Sequence, residues 1–351
     1  MNDRVTLVLH AGAHKTGTTS IQGALSNSSV ELQECGILYP ALPFWEHNHT
    51  GLTAGLVQSD RDMGRLVRAK LSAMGLSREE FYSNQIDSIR LQIAKAQPRV
   101  VVLSSEAFFN SQRYNVPRLV QDLGLRLDQV KVLIYLREPP GHYLSLLQQS
   151  LKHSTRFKDP SSIKFSRTVG DYQEWFGESV RVRPIEGLSD GVISDIAEYL
   201  SCAQGVLGDV QRKNVSLSAE SMSILQRFRL SAHPAKDDIV VPDCNRLFRS
   251  LRRAEGIVGY SRPTLLDSVV RTVWSSCEGE LGWLFARFPE FEEVWGPDVL
   301  SGSDWKRPDR QLLVEDVCVV NQGVCSNLLM EVLLREWKFI GLGEGRRYDV
   351  G

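Results

Sequence analysis

The sequence predicts an α/β protein: a parallel sheet flanked by helices, with a mostly helical C-terminal extension. Three observations predict it. Four short runs are rich in β-branched and large apolar residues, namely Val5–His10, Arg99–Ser104, Val130–Leu136 and Val180–Pro184. Helix-compatible patterns separate them. Beyond about residue 186 the strand runs cease and helical spacing continues.

The first three strand runs are almost unbroken in apolar residues, as expected of central parallel strands covered on both faces. Between them, helical spacing covers Thr18–Ser26, Glu31–Cys35, Asp62–Ala73, Arg78–Ala96 and Gly141–Lys152. Alternation of this kind predicts right-handed crossovers in one sheet. The later helical stretches are Val192–Leu200, Ser218–Leu230, Asn245–Glu255, Leu265–Phe285 and Asn327–Trp337. The expected organisation is a core over residues 1–205, with residues 41–98 inserted before the second strand run. A helical region, 206–351, packs on that core. Ser161–Ser166 and Trp295–Pro308 read as surface loops.

Composition narrows the function. The 351 residues are 42% hydrophobic and 24% charged, an ordinary globular balance. A net charge of −1 and a pI near 6.7 provide no global basic field for nucleic acid or an anionic membrane. Any anion site must be local. Cys35, Cys202, Cys244, Cys277, Cys318 and Cys325 form no C-x-x-C pair, so neither a metal site nor a disulfide framework is expected. They read as reduced thiols of a cytoplasmic protein. The strand pattern begins too early for a signal peptide. Runs such as Val100–Leu103 and Val132–Leu136 are far too short to span a bilayer.

The decisive segment is His10-Ala11-Gly12-Ala13-His14-Lys15-Thr16-Gly17-Thr18-Thr19-Ser20. It follows the first strand and opens a helix, so free backbone N–H groups and the positive helix end converge on the turn. Gly12 and Gly17 permit close approach. Thr16, Thr18, Thr19 and Ser20 add hydroxyls, and Lys15 adds a cation. A Walker A loop needs glycine before the lysine; here the lysine comes first. A plain glycine-and-threonine turn with a solvated lysine is the competing reading.

A second segment, Tyr135-Leu136-Arg137-Glu138-Pro139-Pro140-Gly141-His142-Tyr143-Leu144-Ser145, closes the third strand run. Pro139 ends the strand and starts a helix facing the same crevice as Arg137. An arginine can grip phosphate in bidentate fashion, and a serine hydroxyl can assist. Taken alone, the arginine could equally cap a helix.

Lys15-Thr16-Gly17-Thr18-Thr19 resembles the 5′-phosphosulfate loop of PAPS-dependent sulfotransferases, where PAPS is 3′-phosphoadenosine 5′-phosphosulfate. With His14 before it and Ser20-Ile21-Gln22 after it, the segment looks like the bacterial sulfotransferase-like branch, which has a P-loop-like fold. Arg137, Pro139 and Ser145 match the family's arginine, proline and serine spacing. The resemblance covers roughly residues 4–150. It implies that PAPS is the donor, that desulfated PAP is the product, and that no metal is required. Lys15 would then reach the bridging oxygen between sulfuryl and 5′-phosphate, and Arg137 with Ser145 would hold the 3′-phosphate. Asn214 and Ser216 are similar to a late Asn-x-Ser segment of that branch, though Ser218 reads as a helix cap at the same place. The family's Gly-rich 3′-phosphate segment has no counterpart.

In-line sulfuryl transfer also needs a base for the acceptor. Glu106, after the second strand run, is the first candidate; its alternative is a first-turn glutamate on a helix Ala107–Asn110. His47 and His49 are the second, and could equally be surface or structural residues. On the acceptor side, Phe44, Trp45, Phe81 and Tyr82 could stack on sugar or simply pack. Arg246, Arg249, Arg252 and Arg253 form a stripe that defaults to a solvated face. The expected activity is sulfation of a hydroxyl or amine on a carbohydrate, glycolipid or small metabolite. The rivals are a nucleotide-dependent kinase and a non-catalytic sulfotransferase-like nucleotide-binding protein.

Overall fold

The computed structural model describes residues 5–13, 15–45, 47–110, 112–157, 163–202, 205–208, 216–236, 239–298, 302 and 305–344, with side chains to residue 335 except at 297. They divide into two compact units interleaved in sequence. The first comprises Met1–Glu138, Lys164–Lys213 and Glu278–Asp298; the second comprises Pro139–Ile163, Asn214–Cys277 and Val299–Gly351.

The first unit holds a five-stranded parallel sheet. Its strands are β1 (Thr6–Ala11), β2 (Ile37–Leu38), β3 (Val100–Ser105), β4 (Val130–Leu136) and β5 (Val180–Pro184), in the order β2-β3-β1-β4-β5. Every predicted strand run is therefore a strand. Only β2 escaped the sequence reading, because two residues at a sheet edge are too few to show a period. β1 lies between β3 and β4, with Ala11 opposite Ser105 and His10 opposite Leu133. The chain leaves β1 toward β2 on one side and later crosses to β4 on the other. The carboxyl end of β1 is thus the switch point at which open α/β sheets bind ligands.

Both sheet faces are covered. Val8, Val102, Leu133 and Tyr135 pack with Ile21 and Leu25 of α1 (Thr18–Asn27) and with Ile196 and Leu200 around α8 (Gly191–Tyr199). Alternating residues Leu7, Leu9, Val101, Leu103, Val132 and Ile134 point to the opposite face and are completely buried. Between these strands run α2 (Ser29–Glu34), α3 (Arg65–Met74), α4 (Arg78–Ala96), α5 (Val116–Asp122) and α7 (Ser166–Phe176). α4 matches its predicted bounds because Ser77 and Glu80 form a full capping box. α12 (Glu278–Phe285) and α13 (Pro289–Trp295) complete the unit.

The second unit holds α6 (Pro139–Ser150), α9 (Ala219–Ala232), α10 (Pro242–Val258), α11 (Asp267–Ser276) and α14 (Gln322–Glu344). Gln226 ties it together: its amide donates to the Thr155 and Leu312 carbonyls, and its oxygen accepts from the Val314 N–H. The single helical run predicted over Leu265–Phe285 is instead two helices, because Cys277 leaves helical geometry (φ −101, ψ 5). Ser166 opens α7, and the loop expected at Ser161–Ser166 has residues 161 and 162 outside the described set. Among the described residues, no helix is long and apolar enough to cross a membrane.

Candidate functional site

The loop after β1 is built as an anion cradle. Its first helical bond runs from Ile21 N–H to the Gly17 carbonyl at 3.0 Å, so the N–H groups of Thr18, Thr19 and Ser20 have no intrahelical acceptor. Gly17 occupies the N-cap at φ 80 and carries no capping side chain. A Cβ there would lie 2.7 Å from Val192 Cγ2, so the left-handed turn and the close approach of α8 both require glycine. Gly12 has no room for a side chain, since Thr18 Oγ1 and Cγ2 crowd the place its Cβ would take. Thr16 is buried and donates to the Ala13 carbonyl at 2.8 Å, which locks the turn from within. Thr18 Oγ1 is buried and makes no hydrogen bond within the protein. Thr19 is exposed and Ser20 half-buried at the open end of the helix.

Lys15 adopts φ 64, a left-handed conformation that costs a lysine about 1–2 kcal/mol and persists only where the surroundings impose it. The side chain is half-buried. Burial lowers its pKa from the ordinary lysine value; Glu106 opposes that shift and the Arg137 charge reinforces it. Two charges from the carboxyl ends of the neighbouring strands therefore act on Lys15, which follows β1: Glu106 after β3 and Arg137 after β4.

The segment after Glu106 is a three-residue 3-10 turn, Ala107–Phe109, rather than a helix through Asn110, and the Glu106 side chain makes no capping bond to it. Arg137 is mostly buried, with 18% of its side chain exposed, and its Nε lies 3.9 Å from Glu186 Oε1. Glu186 is itself held by the Trp295 indole N–H at 3.0 Å and the Glu138 N–H at 3.3 Å. The sequence reading missed Glu186, although a carboxylate two residues beyond a strand end is a signal of the kind that singled out Glu106. A shallow depression lined by Arg78, Tyr82, Ser83 and Arg118 is a poorer anion site. Its guanidiniums already pair with Glu79, Asp60 and Asp122.

The two candidate histidines differ. His47 is exposed at φ 63, its Nδ1 2.8 Å from the Ser26 hydroxyl. His49 is completely buried. Its Nε2 bonds the Pro40 carbonyl at 2.9 Å, and its Nδ1 accepts from the Ser104 N–H at 2.9 Å. With both nitrogens engaged by backbone, the ring braces the end of β3. A second brace, absent from the sequence reading, is His10, buried with Nδ1 2.8 Å from Ser104 Oγ, which also accepts from the Gln22 amide at 3.2 Å. Burial depresses His10 to about 3 and is the main cause of the fall of His49 to about 4.

Unfolded, each imidazole takes up its proton near pH 6.5; folded, each stays neutral until far lower. Between those values the unfolded chain binds more protons. The stability contributed by both rings is therefore complete above about pH 6.5 and is lost as pH falls toward their folded values. We expect the ring protons of His10 and His49 to show no titration in NMR spectra above about pH 5, a window set by those depressed values. A midpoint near 6.5 for either ring would contradict its placement.

Ser145 and Ser216 belong to the second unit. Ser145 is buried on α6 and donates to the Gly141 carbonyl at 2.9 Å. Ser216 is half-buried ahead of α9, whose N-cap is Ser218, accepting from the Ser221 N–H at 3.2 Å. His14 and Asn214 lie outside the described residues. Among the described residues, no group of three or more His, Cys, Asp or Glu could hold a metal ion.

No protein-family model matches the sequence, and no curated protein matches it. Among solved structures, the chain is similar to the crystal structure of a sulfotransferase from Alicyclobacillus acidocaldarius. The two are 17% identical, the match covers 68% of this chain and 98% of that one, and the TM-score is 0.35. A likeness that low carries no weight for function.

Proposed function

We propose that this chain transfers a sulfuryl group from PAPS to a hydroxyl or amine of a carbohydrate, glycolipid or small metabolite. The observation that supports this reading best is that the charges of Glu106 and Arg137, each at the end of a strand flanking β1, both bear on Lys15. The residues fit such a donor. An orphaned buried Thr18 hydroxyl and the open N–H groups of α1 suit one anionic end, and Arg137 suits a second phosphate. Bound there, PAPS would supply an activated sulfuryl group and a 5′-phosphate as leaving group.

The protein's part is positioning and charge stabilisation. Lys15, held in a strained turn beneath the helix end, neutralises negative charge developing on the leaving oxygen. The N–H groups of Thr18, Thr19 and Ser20 steady the transferred oxygens. Arg137 turns from Glu186 toward the 3′-phosphate, with Glu186 holding the guanidinium near its working position beforehand. Glu106 takes the proton of the attacking hydroxyl or amine. We assign it the base role ahead of His47 and His49, because His49 has both nitrogens committed to backbone and His47 is exposed and bonded to Ser26.

Thermal shift with PAP, ATP and ADP tests the donor. A shift with PAP that grows with its concentration, and little shift with either ATP or ADP, is expected from binding linkage. Equal shifts, together with magnesium-dependent ATP turnover, would favour a kinase instead. Glu106→Gln tests catalysis: it should slow transfer by about 10²–10⁴-fold, the usual contribution of a general base, while binding PAP as the parent does. Unchanged turnover would remove Glu106 from the role. An absence of transfer from PAPS by the parent protein across a broad acceptor panel would favour a binding protein.

A further inference from the structure

Cys35 and Cys202 are distant in sequence but close helices of the same unit at one pole of the sheet, opposite the strand ends that carry Lys15. Cys35 caps α2 and is followed by Gly36 at φ 71. Cys202 closes α8. Ser201 stands at φ 54, its N–H donates to the Glu198 carbonyl at 2.8 Å, and the Cys202 N–H donates to the Ala197 carbonyl at 2.9 Å. These paired bonds are those of a Schellman ending, which folds the following residue back against the helix.

One side chain spans both endings. Arg99, just before β3, lays its stem over Gly36, with Cγ 3.3 Å from where a Cβ would stand. Its Nε donates to the Cys35 carbonyl at 3.1 Å and its Nη2 to the Leu200 carbonyl at 3.3 Å. Both thiols pack against the same apolar cluster and both are half-buried, whereas Cys244, Cys277, Cys318 and Cys325 are buried. Burial, then the neighbouring Cys35, push the Cys202 thiol up to about 11.

We propose that Cys35 and Cys202 are a modification site, forming a reversible intrachain disulfide with a small-molecule disulfide such as oxidised glutathione as electron acceptor. The Cys35 thiolate attacks a glutathione sulfur, making a mixed disulfide and releasing one glutathione thiolate. The Cys202 thiolate then attacks the Cys35 sulfur and expels the second. The two cysteine protons pass through solvent to the two glutathione thiolates, so two thiols and one disulfide become one disulfide and two thiols. Burial disfavours the Cys202 thiolate, which makes Cys202 the second attacker. The link closes a ring from residue 35 to residue 202, which restricts the unfolded chain and raises Tm. It stands independently of the donor reading.

The test incubates the full chain with oxidised glutathione, quenches with an alkylating reagent and maps unreduced peptides by mass spectrometry. A Cys35–Cys202 linked peptide is expected, together with a Tm increase that dithiothreitol reverses. Cys35→Ser and Cys202→Ser should each abolish the link, leaving a glutathione adduct on the surviving cysteine, while Cys244→Ser should leave the link in place. Stable adducts on both cysteines without a link would overturn the proposal. So would a link that forms only in denaturant, because disulfide geometry requires Cα atoms closer than about 7 Å.

Discussion

Lys15→Ala is expected to slow sulfuryl transfer by about 10²–10³-fold, as removal of one preorganised charge-stabilising group usually does. The size follows from the proposed role: the half-buried ammonium would meet the leaving group beside the open N–H groups of α1. Removing it leaves the α1 N–H groups to face the developing charge unaided. Lys15→Met keeps the stem and should fall as far as alanine, which separates charge from packing. Alanine and methionine meet the same backbone strain at φ 64 as lysine does, so either variant should keep a Tm close to the parent's. Rates of PAP release measured with an acceptor panel check this, and a loss smaller than tenfold would place Lys15 away from the leaving group.

Arg137→Ala should act on binding. Truncating one partner of a buried charge-assisted pair costs about 2–5 kcal/mol, so PAP affinity should drop roughly 30-fold or more and the KM for PAPS should rise with it. The kcat at saturating donor should change far less, since a remote phosphate contact is made equally in ground and transition states. Arg137→Lys should recover only part of the affinity, because an ammonium cannot offer two parallel donors. Loss of Arg137 also leaves Glu186 facing the 3′-phosphate, a repulsion that adds to the deficit; Arg137→Ala combined with Glu186→Gln should bind PAP better than Arg137→Ala alone. Calorimetric titration with PAP measures each step.

The core of the fold was legible because buried parallel strands write themselves as continuous apolar runs, and because a lysine-first glycine loop between strand and helix has few other uses. What stayed hidden depends on pairing. Ser104 meets His10 only through the register of β3 against β1, and no spacing within either strand announces it. His49 illustrates the same limit from the other side. Its residue type suggested a base, but its environment makes it a strut, with both nitrogens consumed by the backbone of Pro40 and Ser104. Short elements were missed for a simpler reason. β2 has two residues and α5 has seven, too few turns or alternations to stand out. α13 begins with a proline in a stretch whose following glycine and proline read as loop.

In the proposed function, the turn at Lys15 and the guanidinium of Arg137 grasp opposite phosphates of one adenosine nucleotide. Titrating the parent protein, Lys15→Ala and Arg137→Ala with both PAP and adenosine 5′-phosphate tests it most directly. Arg137→Ala should bind adenosine 5′-phosphate as tightly as the parent does and lose all preference for PAP, while Lys15→Ala should weaken both ligands alike. An Arg137→Ala protein that still prefers PAP by the parent's margin would contradict it.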